Sequence, residues 1–350
     1  MSDGLEILPV RGIGDVTAGD DLAALITAAA PWLADGDVLV VTSKIVSKAE
    51  GRLVEVPADG PERDEARQRV LAGETARVVA RRGNTTIVQT HHGFVMAAAG
   101  IDASNVDKTH LVLLPEDPDA SARRLRADLR KRGLDVAVVV SDTMGRAWRN
   151  GLTDVALGAA GIDALLDHRG QLDPYGNELS LTQMAVIDEL SAAAELVKGK
   201  CDRVPVAVVR GYGRLTADDG PGARVLVRDS AEDMFGSGTA EARAEGLAEA
   251  ARMPVDAPRV EAVDGPARDR ASRIARELID ESPLPLVRVE FPAGEVGRLR
   301  LSPPGSGPAD LVRLGAEAQR LRAAFAAAGL ATAIEVDDLG EITLTYGVPA

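Results

Sequence analysis

The chain has 350 residues, of which 45% are hydrophobic and 3% aromatic, and its formal net charge at pH 7 is −14. This length and apolar content predict a protein that buries a sizeable core, and they favour two domains over one. The acidic balance argues against broad, non-specific binding of nucleic acid, because such binding depends on clustered Lys and Arg side chains. A local basic pocket for an anionic ligand stays compatible with this charge.

The chain lacks the roughly eighteen consecutive apolar residues that a membrane helix needs. Its first residues, MSDGLEILPV, have neither the basic start nor the apolar run of a signal peptide. We therefore expect a cytoplasmic protein without membrane association. The single cysteine, Cys201, excludes an internal disulfide and a CxxC metal site.

Three apolar, β-branched runs predict the interior of the fold, at residues 38–41, 136–140 and 206–209. Continuous runs without alternation are typical of strands that are covered on both faces. Amphipathic patterns between these runs predict helices, including residues 62–82 and 119–132. The order of these elements predicts a mixed α+β domain.

A change of composition predicts the end of this domain. Residues 251–269 carry three prolines without a sustained period, which is typical of a linker. We therefore predict a first domain over residues 1–250, a linker over 251–269 and a small α+β domain over 270–350. In that second domain helices are expected at residues 271–279 and around 311–325, with strands at 286–291, 297–301, 333–336 and 342–346.

Nucleotide-binding signatures of the common kinds are absent from the sequence. No GxxxxGK[ST] occurs, and Gly236-Ser237-Gly238 is not followed by a third glycine at the spacing of a dinucleotide fingerprint. A nucleotide would therefore be bound without a P-loop or a Rossmann motif.

The first apolar strand is followed at once by polar residues in VLVVTSKIVSKAEG. Ser43 and Lys48 belong to this group, and hydroxyl and ammonium groups suit phosphate oxygens. Open α/β sheets collect ligands at the carboxyl ends of their strands. Loops rich in Ser and Lys are also common without any ligand. On this segment alone, phosphate binding and an ordinary loop are equally compatible with the sequence.

The second strand ends in VAVVVSDTMGRAWRNG and places Asp142 and Thr143 at its mouth. A carboxylate beside a hydroxyl suits Mg²⁺ or Mn²⁺, which prefer oxygen ligands and share them with substrate phosphates. A carboxylate so close to an apolar strand needs a partner. The alternative is a buried ion pair with Arg146 or Arg149, and the metal is the favoured interpretation.

A third polar group ends the apolar segment AAAGIDASNV. Asp102 is a candidate for a second metal carboxylate, and Asn105 for a hydrogen bond to a nucleotide or within the loop. A simple Asx turn explains the same residues equally well.

Several blocks taken together, in order, are more specific than any of these motifs. They are ILPVRGIGDVTAGDDL, DGDVLVVTSKIVSKAEGR, AAAGIDASNV, VVVSDTMGRAWRNG, DPYGNEL and ELVKGKCDRVPVAVVRG. Over about residues 4–248 the chain resembles the coenzyme F420-0:L-glutamate ligase family, and in particular the ligase half of the fused actinobacterial enzymes. The resemblance implies a mixed α+β fold and a homodimer with its active site in a groove near the interface.

The resemblance also implies roles for individual residues. It implies that GTP is contacted by Ile13, Gly14, Asp15, Val16, Ser43, Lys48 and Asn105. It implies that Asp102 and Asp142 hold one Mg²⁺ or Mn²⁺ ion and that Thr143 holds a second, with K⁺ as a further candidate ion. Asp102, Asp142 and Lys48 are accordingly the candidate catalytic residues.

The activity implied is the addition of one or more L-glutamates to F420-0. The carboxylate of the cofactor tail attacks the γ-phosphate of GTP, and glutamate then attacks the resulting acyl phosphate. A GTP- or phosphate-sensing protein with a relic pocket is the alternative, although it would not need to retain metal ligands. A metal-dependent phosphatase is a third hypothesis, and it would act without glutamate.

The sequence departs from the family pattern at two places. Lys198-Gly199-Lys200 stands where relatives often have an oxygen-bearing metal ligand, so no metal role is assigned there, although a lysine would serve as a cation. Residues 270–350 are too short for the flavin-binding domain of the fused enzymes, so no reductase activity is predicted.

Overall fold

A computed structural model describes the chain at residues 4–104, 106–229, 232–253, 260–262, 266, 269–270, 273–274, 276–277, 288–290, 297–303 and 305–349. It divides into two compact units, Met1–Gly238 and Thr239–Ala350. The division lies ahead of the predicted linker, because the helix at Thr239–Ala251 belongs to the second unit. In that unit the amide of Gln319 donates to the carbonyl of Ala250 at 2.8 Å. Much of the predicted linker, residues 254–259, 263–265 and 267–268, lies outside the described residues.

The first unit contains both strands and helices along the chain. Its strands are β1 Glu6–Val10, β2 Val38–Thr42, β3 Leu53–Glu55, β4 Thr75–Arg82, β5 Thr85–Thr90, β6 Val95–Ala97, β7 His110–Val112, β8 Ala137–Arg146, β9 Arg149–Ala160, β10 Leu165–Asp167, β11 Gln183–Ala185 and β12 Val206–Arg210. Its helices are α1 Leu22–Ala29, α2 Ser43–Ala49, α3 Gly60–Glu74, α4 Pro118–Lys131 and α5 Val186–Lys198. The expected mixed α/β fold is confirmed.

The three predicted apolar strands are neighbours in one sheet. The strand order is β1-β12-β2-β8-β9. β12 pairs antiparallel with β2, and β2 pairs parallel with β8 in a register that sets Thr42 opposite Ser141. β8 continues beyond that point as a hairpin with β9. The parallel pairing of β2 and β8 therefore ends at Thr42 and Ser141, before the end of β8 at Arg146.

Each face of this sheet is buried under helices. One face packs with α1, α2 and α4 in a cluster that includes Val138, Val140 and Val46. The other packs with α5 in a cluster that includes Ala137, Val139 and Ile187. This two-sided burial explains the unbroken valine runs. Gly158 permits the close approach of α4, since a Cβ there would lie 2.2 Å from the backbone of Pro118.

The helix predicted over residues 62–82 is shorter in the structure. α3 ends at Glu74, and residues 75–82 form β4, which pairs with β5. Val79 and Val88 are buried in this small sheet. The β-branched residues of the second half of the segment favour a strand once a partner strand is present, so the helical prediction was wrong there.

The second unit is a small α+β arrangement, as expected. It contains α6 Thr239–Ala251, β13 Val260–Ala262, β14 Arg288–Glu290, β15 Arg298–Ser302, α7 Pro308–Ala327, β16 Ala331–Val336 and β17 Ile342–Pro349. Leu314, Leu321 and Phe325 form the buried stripe of α7, whereas Leu311 is exposed. The helix predicted at 271–279 lies largely outside the described residues. In the described part of the chain no helix is long and apolar enough to cross a membrane.

Candidate active site

Ser43 and Asp142 meet where the parallel pairing of β2 and β8 ends. The register of β2 and β8 makes them the next residues after the last pair, Thr42 and Ser141. The Ser43 hydroxyl donates to Oδ2 of Asp142 at 2.7 Å, and the backbone N–H of Thr143 donates to Oδ1 at 2.6 Å. Two segments 99 residues apart in sequence are thus joined at this edge of the sheet.

The carboxyl group of Asp142 is in an environment that disfavours its charge. Burial is the largest influence and raises its pKa, and the hydrogen bonds from Ser43 and Thr143 only partly oppose this rise. The negative charges of Asp154 and Asp102 raise the pKa of Asp142 further. The predicted alternative of an ion pair is not observed in the described residues, where Arg146 instead approaches the carbonyl of Asn150 at 3.5 Å.

Asp102 approaches from a separate loop and is held by α2. Lys44, in the first turn of α2, places its ammonium group 2.6 Å from Oδ2 of Asp102. The N–H of Ser104 donates to Oδ1 of Asp102 at 2.6 Å, which is the Asx-turn geometry left open by the sequence. Partial burial acts to raise the pKa of Asp102, but the bonds from Lys44 and Ser104 outweigh it, so the pKa lies below its ordinary value.

A second acidic cluster lies on the opposite side of β8 and was not predicted. Alternate residues of a strand point to opposite faces, and Ser141 and Thr143 both turn towards Asp154 of β9. Their hydroxyls donate to Oδ2 and Oδ1 of Asp154 at 3.0 and 2.8 Å. Asp154 is 2% exposed, and the ammonium group of Lys198, itself 1% exposed, lies 2.9 Å from its Oδ2.

The charge of Asp154 is compensated, unlike that of Asp142. Burial alone would raise its pKa, but the charge and hydrogen bond of Lys198 reverse the effect, and the pKa lies below its ordinary value. Lys200 adds a second cation, 3.7 Å from Oδ1 of Asp154 and 2.7 Å from Glu195. Lys200 also donates to the hydroxyl of Thr143. Thr143 therefore faces an ammonium group in this structure.

The predicted GTP loop is anchored beside α2. Ile13 and Val16 are buried in the same apolar cluster as Val46, whereas Gly14 and Asp15 are exposed. Lys48 is half-buried, one turn after Lys44 on α2. The structure thus brings the loop close to the helix that carries Ser43 and Lys48. Asn105 lies outside the described residues.

Asp142 and Asp102 are the described carboxylates that could hold a divalent cation. The charges of Asp102 and Asp154 are near enough to raise the pKa of Asp142, and a cation beside Asp142 would offset the cost of its charge. No group of three or more His, Cys, Asp or Glu side chains in the described residues forms a complete metal site. An ion held by Asp102 and Asp142 would therefore take its other ligands from water and from a phosphate-bearing substrate, as Mg²⁺ commonly does.

Asp154 and Glu195 are the charged residues that sequence reasoning missed at this site. Asp154 directly precedes the apolar stretch VALGAA, and Asp142 follows the valine-rich run after Ser141. Had the register of the hairpin been known, the pairing of Thr143 with Asp154 would have identified Asp154 as a neighbour of the site. Glu195 gives no such signal, because an acidic residue on an amphipathic helix is ordinary.

Architecture and site together are those of an α/β enzyme that gathers carboxylates, hydroxyls and lysines where the parallel pairing of two strands ends. The sequence model of the family described as F420-0:Gamma-glutamyl ligase matches residues 12–211. The Coenzyme F420:L-glutamate ligase of Methanothermobacter thermautotrophicus is 39% identical in an alignment of length 251 that covers 66% of this chain and 99% of that protein. The enzyme of the same name from Methanopyrus kandleri is 40% identical over 66% of this chain and 97% of its own length. That from Halobacterium salinarum is 43% identical over 58% and 85%.

The chain therefore belongs to the F420-0:gamma-glutamyl ligase family. The matched residues lie within the first unit, which also contains every described residue of the candidate site.

Proposed function

We propose that this enzyme joins L-glutamate to coenzyme F420-0 through a γ-linked amide, with GTP as the co-substrate that activates the accepting carboxylate. The observation that carries the proposal is the hydrogen bond of 2.7 Å between Ser43 and Asp142. It unites a candidate phosphate-binding residue with a candidate metal ligand in a chain of the ligase family. The names of the relatives support the substrates F420 and L-glutamate.

In the proposed reaction the carboxylate of the cofactor tail attacks the γ-phosphorus of GTP, which forms an acyl phosphate and releases GDP. The amine of glutamate then attacks the acyl carbon, loses a proton and displaces inorganic phosphate. Activation is needed because a free carboxylate is a poor electrophile. A divalent ion at Asp102 and Asp142 would neutralise the charge that develops during phosphoryl transfer.

The residues of the chain have separate proposed tasks. Ser43 and the loop from Ile13 to Val16 would bind the nucleotide together with Asn105. Lys48, on the same helix as Ser43, would act as an electrostatic clamp on the phosphates. The hydrogen bond from Ser43 would also orient the Asp142 carboxylate. The homodimer and the potassium ion implied by the resemblance stay predictions.

The test is a reaction of the purified chain with GTP, Mn²⁺ or Mg²⁺, L-glutamate and F420-0, followed by mass spectrometry. We expect a mass gain of one or more glutamyl residues, with release of GDP that requires both acceptor and glutamate. Parallel reactions omit glutamate or replace GTP by ATP. GDP release without conjugate in the complete reaction would contradict the ligase, and conjugate formation with ATP alone would contradict the nucleotide assignment.

A further inference from the structure

The hydroxyl of Thr143 presents only acceptor lone pairs to the site. It donates its proton to Oδ1 of Asp154 at 2.8 Å. The other oxygen of that carboxylate, Oδ2, accepts from Lys198 and Ser141 at 2.9 and 3.0 Å, so Asp154 acts as an acceptor towards its neighbours. A hydroxyl has one donor and two lone pairs. The lone pairs of Thr143 Oγ1 are therefore available to a cation.

Lys200 provides a cation at that oxygen. Its ammonium group donates to Oγ1 of Thr143, lies 2.7 Å from Oε1 of Glu195 and 3.7 Å from Oδ1 of Asp154. These three oxygens come from β8, α5 and β9. A set of carboxylate and hydroxyl oxygens converging from separate elements is the kind that a hard cation such as Mg²⁺ prefers.

The turn after α5 presents two lysines to the two oxygens of one carboxylate. α5 ends at Lys198, and Gly199 follows with φ 64°, a conformation that favours glycine. Lys198 then contacts Oδ2 of Asp154 from the buried side, and Lys200 approaches Oδ1 from the exposed side. A divalent ion bound to Thr143 would be placed directly against the ammonium group of Lys200. Like charges at that separation repel strongly.

We propose that the ammonium group of Lys200 takes the place of a second divalent cation at Thr143, so that this enzyme works with a single divalent ion. Asp142, which makes no ion pair among the described residues, would hold that ion together with Asp102. Lys44, whose contacts to Asp102 and Ser104 come from one loop, would give way to the ion there, whereas Lys200 is held by oxygens from three separate elements. The inference rests on the proposed function. In it, the hydroxyl of Thr143 binds the ammonium group of Lys200 and not the second metal ion that the resemblance implied. In the reaction Lys200 supplies a compact positive charge for the phosphate oxygens.

An ordinary surface ion pair would not produce this arrangement. Lys200 is 62% exposed, and a pair with Glu195 alone would require nothing of Thr143. The donation to Thr143 turns the ammonium group towards the hairpin and Asp154. Lys198 would not serve in the same way, because it is 1% exposed and already committed to Asp154 and Ser141.

The stoichiometry of Mn²⁺ tests the inference without any turnover. Mn²⁺ is titrated into the full chain with a non-hydrolysable GTP analogue, and the bound ions are counted by electron paramagnetic resonance, in which two neighbouring ions broaden each other's spectrum. We expect one Mn²⁺ per wild-type chain. Lys200→Gln, which removes the charge and offers a carboxamide oxygen, is expected to bind a second ion with spin coupling between the two.

Two variants serve as controls. Lys200→Arg keeps the charge and is expected to bind one ion. Lys131→Gln removes an exposed lysine that pairs with Asp128 at 2.7 Å on α4, and it also should bind one. Thermal melting of each variant checks that it is folded.

Two coupled Mn²⁺ ions in the wild type would overturn the inference, as would a single ion in Lys200→Gln. If the wild type bound two ions and Asp142→Asn one fewer, the proposed metal site at Asp142 would stand and the role of Lys200 would fail. If the wild type bound none, both would fail.

Discussion

The two faces of the β8–β9 hairpin shift the pKa of a carboxylate in opposite directions. Towards α2, Asp142 is held by Ser43 and a backbone N–H, and burial raises its pKa. Towards α5, Asp154 is 2% exposed and contacts Lys198, which holds its pKa low. The difference shows that one strand can carry an ion-paired carboxylate on one face and, on the other, a carboxylate that makes no ion pair among the described residues.

The uncompensated side should carry the function, so Asp142→Asn is expected to have the largest effect. The amide keeps the shape of the side chain but removes the negative charge that would hold a divalent ion. We expect glutamate ligation to fall on the order of a thousandfold, equivalent to about 4 kcal/mol of transition-state stabilisation. Steady-state kinetics at saturating GTP measures the loss.

Asp128→Asn is the matched control, since Asp128 is an exposed partner of Lys131 on α4. It should leave the rate unchanged. A comparable loss of activity in both variants would mean that the effect of Asp142→Asn does not arise from the loss of a metal ligand at the site.

The compensated side should carry stability, and Lys198→Met tests it. Methionine retains most of the apolar length of lysine but leaves Asp154 buried beside hydroxyls without its closest cation. Removing one partner of a buried pair leaves an uncompensated charge, so the free energy of unfolding should fall by about 3 kcal/mol. Urea denaturation followed by circular dichroism measures it.

The control for this change is Lys131→Met, which breaks an ion pair whose side chains are 74% and 48% exposed. Exposed pairs contribute little, so a change within about 0.5 kcal/mol is expected. Equal destabilisation by the two substitutions would remove the distinction between the two faces.

Ser43→Ala should have a smaller effect on ligation. It removes the hydroxyl that donates to Asp142 at 2.7 Å and is proposed to bind GTP. The loss of one hydrogen bond to a charged group predicts a decrease in kcat/KM of about tenfold, roughly 1.4 kcal/mol.

The same helix offers a matched control in Ser47, which is 1% exposed. Among the described residues nothing hydrogen-bonds to its hydroxyl. Ser47→Ala should therefore leave kcat/KM within about twofold. If Ser47→Ala were as impaired as Ser43→Ala, general disturbance of α2 would explain both.

The smallest expected effect is a pH-dependent difference in stability between wild type and Asp142→Asn, measured in metal-free protein. The folded-state pKa of Asp142 is raised above its ordinary value of 3.8, so its ionisation disfavours the folded state once the pH passes that value. Asp142→Asn should therefore be more stable than the wild type at neutral pH. The advantage should disappear as the pH falls below the ordinary aspartate range.

Urea midpoints at pH 7 and near pH 3 give the two values. The sign is opposite for Asp154, whose lowered pKa contributes stability that is present above the ordinary range and lost as the pH falls through its own. A variant Asp142→Asn that was less stable than the wild type at pH 7 would contradict the account of Asp142.

Local pattern alone determined much of this protein. The three valine-rich runs identified the central strands because burial on both faces demands unbroken apolar sequence. The polar residues directly after them identified Ser43, Asp142 and Thr143, since ligands collect at the carboxyl ends of strands. The ordered motif blocks indicated the ligase family, which the family match over residues 12–211 confirms.

Only the tertiary structure decided which side each charge faces. The parallel register of Thr42 with Ser141 joins Ser43 to Asp142, and the antiparallel register of Thr143 with Asp154 brings in an acid that no motif had marked. The change from helix to strand at Thr75 likewise depends on pairing with β5. Strand pairing and the approach of α5 act between residues distant in sequence, so the partners of Asp142 and Asp154 follow from the fold and not from the local residue pattern.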